Sequence, residues 1–198
     1  MTSVSASPPD GEPVYTYRPS LLGAPWTFRL TPAGLAFEAG RKSGLVAYRD
    51  IRRLRLSFRP ISMQTQRFQT EIWADGAPKL VITSSSWKSM VEQERLDQSY
   101  AAFVADLHHR IAAAAGAVRF EQGGNPLTYW PGLAIFAAVA LGIVVLIVRA
   151  LQSGAVAGAV FVAAFLGLFL WHGGNYFRRN RPGIYTPDAL PELLVPKG

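Results

Sequence analysis

From Gln122 to Asn175 the chain carries one Lys, Arg, Asp or Glu side chain, Arg149. No other feature constrains the fold as tightly. A soluble domain would interrupt so apolar a block with charged surface positions. The flanking sequence, Arg18 to Glu121 and Arg178 onward, is charged throughout, so a boundary falls near Gly123-Gly124-Asn125-Pro126.

Tyr129 to Val148 is an uncharged run of about twenty residues, enough for a helix to cross a hydrocarbon core about 30 Å thick. Pro131 falls in its first turn, where a missing N–H costs nothing, and Tyr129 and Trp130 sit where amphipathic rings favour the headgroup level. A second run goes from Ala155 to Trp171, with His172 and Tyr176 at its exit. The residues between, Arg149 to Gly154, make only a turn, so the two spans must lie antiparallel. Helices of a small soluble domain need a wetted side, and these have none. Small residues suggest how they meet: Ala134, Ala138 and Gly142 on the first, and Gly154, Gly158, Ala159, Ala163 and Gly167 on the second. Such stripes let helices approach closely in lipid. Arg119 before the first span, and Arg178, Arg179 and Arg181 after the second, outweigh Arg149 in the turn. Both termini are therefore expected in the cytoplasm.

The first half reads as short strands and one helix. Trp26, Phe28 and Leu30 alternate with Thr27 and Arg29, and Leu35, Phe37 and Ala39 with Ala36 and Glu38, the period of a half-buried strand. Thr31-Pro32-Ala33-Gly34 supplies turn chemistry between them. Gly40 to Gly44 is the next expected turn, followed by a strand from Leu45 to Tyr48. Leu54, Leu56 and Phe58 alternate with Arg53, Arg55, Ser57 and Arg59 until Pro60. A strand through Phe68, Thr70 and Ile72 to Trp73 meets Lys79 to Thr83 across Asp75-Gly76. Ser84-Ser85-Ser86 reads as a helix lead-in. Tyr100, Phe103, Val104, Leu107 and Ile111 then recur at helical spacing up to Gly116.

This order of elements resembles the bacterial pleckstrin-homology-like (PH-like) domains. Leu30-Thr31-Pro32-Ala33-Gly34-Leu35, followed by Tyr48-Arg49-Asp50-Ile51, looks like their early hairpin and the strand after it. The resemblance implies an α+β fold, a small antiparallel β-barrel or sheet capped by one carboxy-terminal α-helix, here followed by a two-helix transmembrane hairpin. The expected organisation is a disordered start over 1–14, a PH-like cytoplasmic domain over 15–120 and a linker over 121–128. The hairpin follows over 129–176, then a cytoplasmic Pro-rich tail over 177–198. In that tail Tyr185, Leu190, Leu193 and Leu194 are apolar, which predicts docking back onto the domain or onto a partner. Residues Met1 to Gly11 have neither the basic nor the apolar region of a signal peptide.

The chain has no cysteine, which excludes thiolate catalysis, disulfides and cysteine-ligated metal. His108 and His109 are adjacent on a helix, about 100° apart, and cannot aim at one metal as an i, i+4 pair would. They read as surface positions. No nucleophile elbow, P-loop or metalloprotease helix occurs, so no enzyme, catalytic residue or cofactor is expected. Arg41, Lys42, Arg53, Arg55 and Arg59 are the candidate contacts to anionic lipid headgroups. Near an anionic leaflet each gains about 1 kcal/mol; the PH-like resemblance also implies headgroup contact at an early turn, on Arg41 and Lys42. The alternative is a solvated face. Residues 1–128 hold 15 basic and 11 acidic side chains with no dense run, which disfavours nucleic acid. The expected role is a non-enzymatic binding, scaffold or regulatory module in a bacterial inner membrane. An accessory subunit of a membrane transporter or channel is the alternative. The partners expected are the bilayer, anionic lipid, and a membrane-protein partner or a second copy.

Overall fold

The structure, a computed structural model, describes residues 11–60, 66–89, 92–114 and 116–196. The disordered start expected over 1–14 lies mostly outside them. Four strands form a first antiparallel sheet in the order β1 (Val14–Tyr17), β2 (Trp26–Leu30), β3 (Leu35–Ala39) and β4 (Lys42–Val46). Period-2 alternation decides which side chains enter the core: Phe28, Leu30 and Leu35 are fully buried and Phe37 nearly so. Ala39 pairs with Lys42, so the β3–β4 turn is the two-residue Gly40-Arg41, with Gly40 at φ +69°. The expected five-residue turn is thus corrected, and Lys42 belongs to a strand.

A 3-10 turn at Tyr48–Asp50 leads to the second sheet, β5 (Ile51–Phe58), β6 (Phe68–Ala74) and β7 (Leu80–Thr83). Ile51 and Leu54 both face the core although three residues apart, because a bulge between Ile51 and Arg53 absorbs one residue. Ser85–Trp87 is a strand, β8, paired with β9 (Gln93–Arg95). This overturns the reading of Ser84–Ser86 as a helix lead-in. Helix α1 (Asp97–Ala113) starts beyond that hairpin and buries Tyr100, Phe103, Val104, Leu107 and Ile111, the predicted apolar stripe. His108 is buried too, at 1% exposure, which corrects its assignment to the surface.

The two sheets share one core but do not close on each other by a strand ladder. Instead the Tyr15 hydroxyl donates to the Thr83 carbonyl at 2.6 Å, and Tyr17 to the Val81 carbonyl at 2.5 Å. Side chains of β1 thereby satisfy edge carbonyls of β7. Burial pushes both phenols' pKa up, so they remain donors. The fold is α+β, β1 to β7 pair antiparallel within their sheets, and among the described residues the ladders do not close into a barrel.

After α1 the chain adds β10 (Arg119–Gln122) beside β5, in parallel. The second sheet is therefore mixed, a departure from the all-antiparallel expectation. The chain leaves this sheet at β7, which runs parallel to β5, and returns by way of β8, β9 and α1 on the opposite side of β5 with the same direction. Helices α2 (Pro126–Gln152) and α3 (Val156–Arg179) follow, and β11 (Gly183–Ile184) pairs with β10.

At 27 and 24 residues, α2 and α3 measure about 40 and 36 Å. Both are long and apolar enough to cross a membrane, and 0% and 6% of their most apolar windows are buried within the protein. A core helix would be covered; these expose their apolar sides. The architecture fits a membrane protein with a sheet domain. Asn125 caps α2, its side chain accepting from the Leu127 N–H at 3.1 Å.

The seam between the two helices is aromatic at its domain side and aliphatic toward the turn. The less exposed residues of α2 include Tyr129, Leu133, Phe136, Ala140, Ile143, Ile147 and Ala150, spaced alternately by four and three, with Gly132 beside them against Phe177. On α3 they include Ala159, Val162, Leu166, Phe169, Gly173 and Phe177, and at the domain end Gly174, Asn175 and Arg179 are part-covered too. This is the 3.5-residue period of a left-handed helix pair. Phe136 stacks on Phe169 with ring centroids 4.6 Å apart and meets Phe177 at 5.2 Å. A methyl group at Gly173 would overlap the Phe136 ring, so this glycine makes the hole that the ring fills.

Candidate functional site

The tail holds the domain and the helices together. Asn180, 2% exposed, lies just past α3 and treats β5 as a neighbouring strand would. Its Oδ1 accepts from the Phe58 N–H at 3.0 Å, and its Nδ2 donates to the Phe58 carbonyl at 2.8 Å. The Gly124 N–H donates to the Asn180 carbonyl, and the Gly123 N–H to that of Leu56, both at 2.8 Å. Gly123 sits at φ +77°, where a Cβ would run into the Asn180 and Arg181 carbonyl oxygens. Beyond β11, Tyr185 reaches α1. Its hydroxyl is 2.7 Å from His108 Nε2, while His108 Nδ1 is 2.6 Å from the Val104 carbonyl. A carbonyl only accepts, so Nδ1 carries the proton and Nε2 accepts from Tyr185. Phe120 stacks on the imidazole at 5.4 Å. Desolvation lowers the His108 pKa to about 4 and keeps the ring neutral, with both nitrogens engaged. Leu194 completes the docking at 2% exposure. Tyr185, Leu190 and Leu194 thus pack on the domain that precedes the hairpin, whereas Leu193 is 46% exposed.

The core-facing residues of β5, β6 and β10 are apolar apart from Thr70, whose hydroxyl is 2.6 Å from that of the buried Tyr100, and the alternation puts the charged residues on the opposite, outer face. Cross-strand register sets them in two rows. Trp73, Arg53 and Arg119 form one, and Glu71, Arg55 and Glu121 the other. Arg55 Nη2 lies 2.5 Å and its Nε 3.0 Å from Glu121 Oε2, with both side chains nearly buried. Arg119 Nε approaches Glu121 Oε1 at 3.1 Å, and Lys79 pairs with the buried Glu71. Arg53 has no carboxylate partner among the described residues; its guanidinium lies 3.8 Å over the Trp73 ring. The face continues into a cleft of about 420 Å³ between this sheet, the start of α2 at Asn125 and Pro126, and the tail at Pro182–Ile184.

Of the basic residues singled out from sequence, the fold brings Arg53 and Arg55 together in this cleft. Arg41 and Lys42 stand exposed at the end of the β3–β4 hairpin on the other sheet, and Arg59 lies exposed beyond β5. Arg119, Glu121 and Trp73 complete the face and were not singled out. The Arg119-Phe120-Glu121 alternation, charged on either side of an apolar residue, is the signal that would have found them. Of the small residues proposed for helix contact, Ala159 lies in the seam at 2% exposure. Ala134, Ala138, Gly142, Gly154, Gly158, Ala163 and Gly167 are exposed, and an added Cβ at any of those glycines would meet nothing within 4 Å. The aromatic seam turns them outward. No family model matches the chain, and neither a curated protein nor a solved structure matches it.

Proposed function

We propose that the chain is a membrane-anchored, PH-like, non-enzymatic binding or scaffold module, held at the cytoplasmic face of a bacterial inner membrane. One observation carries the reading: the domain is fixed to its helices on both sides. Asn180 clamps β5, β11 extends β10, and Leu194 enters the core. A domain merely tethered by a flexible linker would need none of these contacts. A domain whose surface must stand at a set height and angle above a bilayer does. The PH-like reading rests on the order of elements: four antiparallel strands, then β5, β6 and β7 of a five-stranded second sheet, then a helix packed on the shared core. The cytoplasmic assignment is supported by Arg178, Arg179 and Arg181 at the domain side of the spans, against Arg149 at the turn.

A second reading, an accessory subunit of a transporter or channel, is favoured by the outward Ala134, Ala138 and Gly142, which offer a close-approach surface to another helix. Photo-crosslinking in intact membranes separates the two. A crosslinker at Leu45, 56% exposed on β4, should give a discrete protein adduct if the domain is the binding module. Adducts formed from Ala138 and not from Leu45 would favour the accessory subunit. Adducts from neither position would contradict the accessory subunit and a protein partner on the first sheet of the domain.

A further inference from the structure

The arginine cleft is set at the level of lipid headgroups and carries more positive charge than its own carboxylate neutralises. Trp130, 58% exposed, lies four residues along α2 from Pro126, which is about 6 Å. Exposed tryptophans on spanning helices settle at the headgroup level, so a cleft walled by Asn125 and Pro126 opens just on its water side. Into it project Arg53, Arg55 and Arg119, against the single carboxylate of Glu121. Arg53 and Arg119 stand directly opposite each other in the β5–β10 ladder. Like charges so placed repel, and Glu121 is shared between Arg55 and Arg119. Trp73 covers one face of the Arg53 guanidinium, which holds it in place and leaves its N–H edge without a carboxylate.

From this geometry we propose that the cleft binds the phosphate of a net-anionic membrane lipid, with Arg53 and Arg119 as the contacting residues. Arg55, paired with Glu121, acts as their positioning residue. Guanidinium groups present paired N–H donors that match phosphate oxygens. A zwitterionic headgroup brings its own cation and gains less. The inference rests on the membrane-anchored reading above and names a ligand for that module.

The full chain, purified in neutral detergent and mixed with equal parts phosphatidylglycerol and phosphatidylcholine, is examined by native mass spectrometry. The intact protein should retain phosphatidylglycerol with a preference of roughly thirtyfold, from two arginines near an anionic headgroup. Arg53→Gln combined with Arg119→Gln should bring that preference to about twofold or less. Both positions lie at the surface, so the fold should survive. Arg41→Gln with Lys42→Gln should leave the preference intact. Equal preference in the wild type and the Arg53/Arg119 variant would overturn the proposal, as would no preference in the wild type. A second arm adds excess inorganic phosphate. Retained lipid supports the headgroup, whereas full displacement assigns the cleft to a soluble phosphate and overturns the lipid source. Carbonate washing of membranes separates the two levels of claim. A chain that stays in the membrane but shows no lipid preference loses this inference alone, and a chain that washes off loses the anchored reading.

Discussion

At the scale of single residues, two polar side chains decide how the domain meets its helices. Asn180→Ala removes both hydrogen bonds to Phe58 and leaves its buried N–H and carbonyl unpaired. Thermal unfolding of the detergent-purified chain should show a loss of about 2 kcal/mol; an unchanged midpoint would contradict the clamp. His108 makes stability depend on pH. Its folded pKa of about 4 lies below the 6.5 of the unfolded chain. The unfolded state therefore takes up a proton first as pH falls. Stability is full above 6.5 and declines toward pH 4 by about 1.4 kcal/mol per unit. His108→Gln, whose amide keeps a donor and an acceptor, should flatten that slope; a slope that persists would assign it elsewhere. Neither role was legible from the sequence. Asn180 reads as a polar residue in an arginine run, and its partner Phe58 is 122 positions away. His108 lies four residues after Val104 and three before Ile111, at the edge of the apolar stripe, where a polar residue can be either covered or wetted. It is buried here only because Phe120 and Tyr185 arrive to cover it.

At the scale of elements, local periodicity was the reliable guide and small residues were not. The strands at Trp26–Leu30 and Leu35–Ala39 have the bounds that their alternation implies, because a two-residue period fixes which face is buried. The two spans followed from length and absence of charge. Their seam did not, since Ala and Gly patterns say where helices could approach but not where large rings prefer to stack. Gly173→Ala should therefore destabilise the helix pair by about 1–3 kcal/mol through overlap with Phe136. Phe136→Leu in the same chain should recover part of that loss, as a double-mutant cycle would show. Gly142→Ala on the outer face should change little. The tail is an element of the domain in the same energetic sense. Leu194→Ala should cost about 2–4 kcal/mol in chemical denaturation, whereas a tail lying loose would make the substitution silent.

At the scale of the molecule, a sheet domain and a helix pair are joined along β5, β10 and the tail. The sequence marked the boundary between them near Gly123, and its apolar tail pointed to docking back on the domain or on a partner, but not to the pairings by which the chain crosses back. The long-range pairings Gln122–Gly183 and Phe58–Asn180 leave no periodic trace. The central claim is that the helices span a bilayer with the domain on the cytoplasmic side. The absence of cysteine makes that directly measurable. Ser153→Cys in the α2–α3 turn and Thr16→Cys on β1, both exposed positions, are treated in intact cells with a membrane-impermeant maleimide. Cys at 153 should label in intact cells, and Cys at 16 only after lysis. Labelling of position 16 in intact cells, with position 153 protected, would contradict the account.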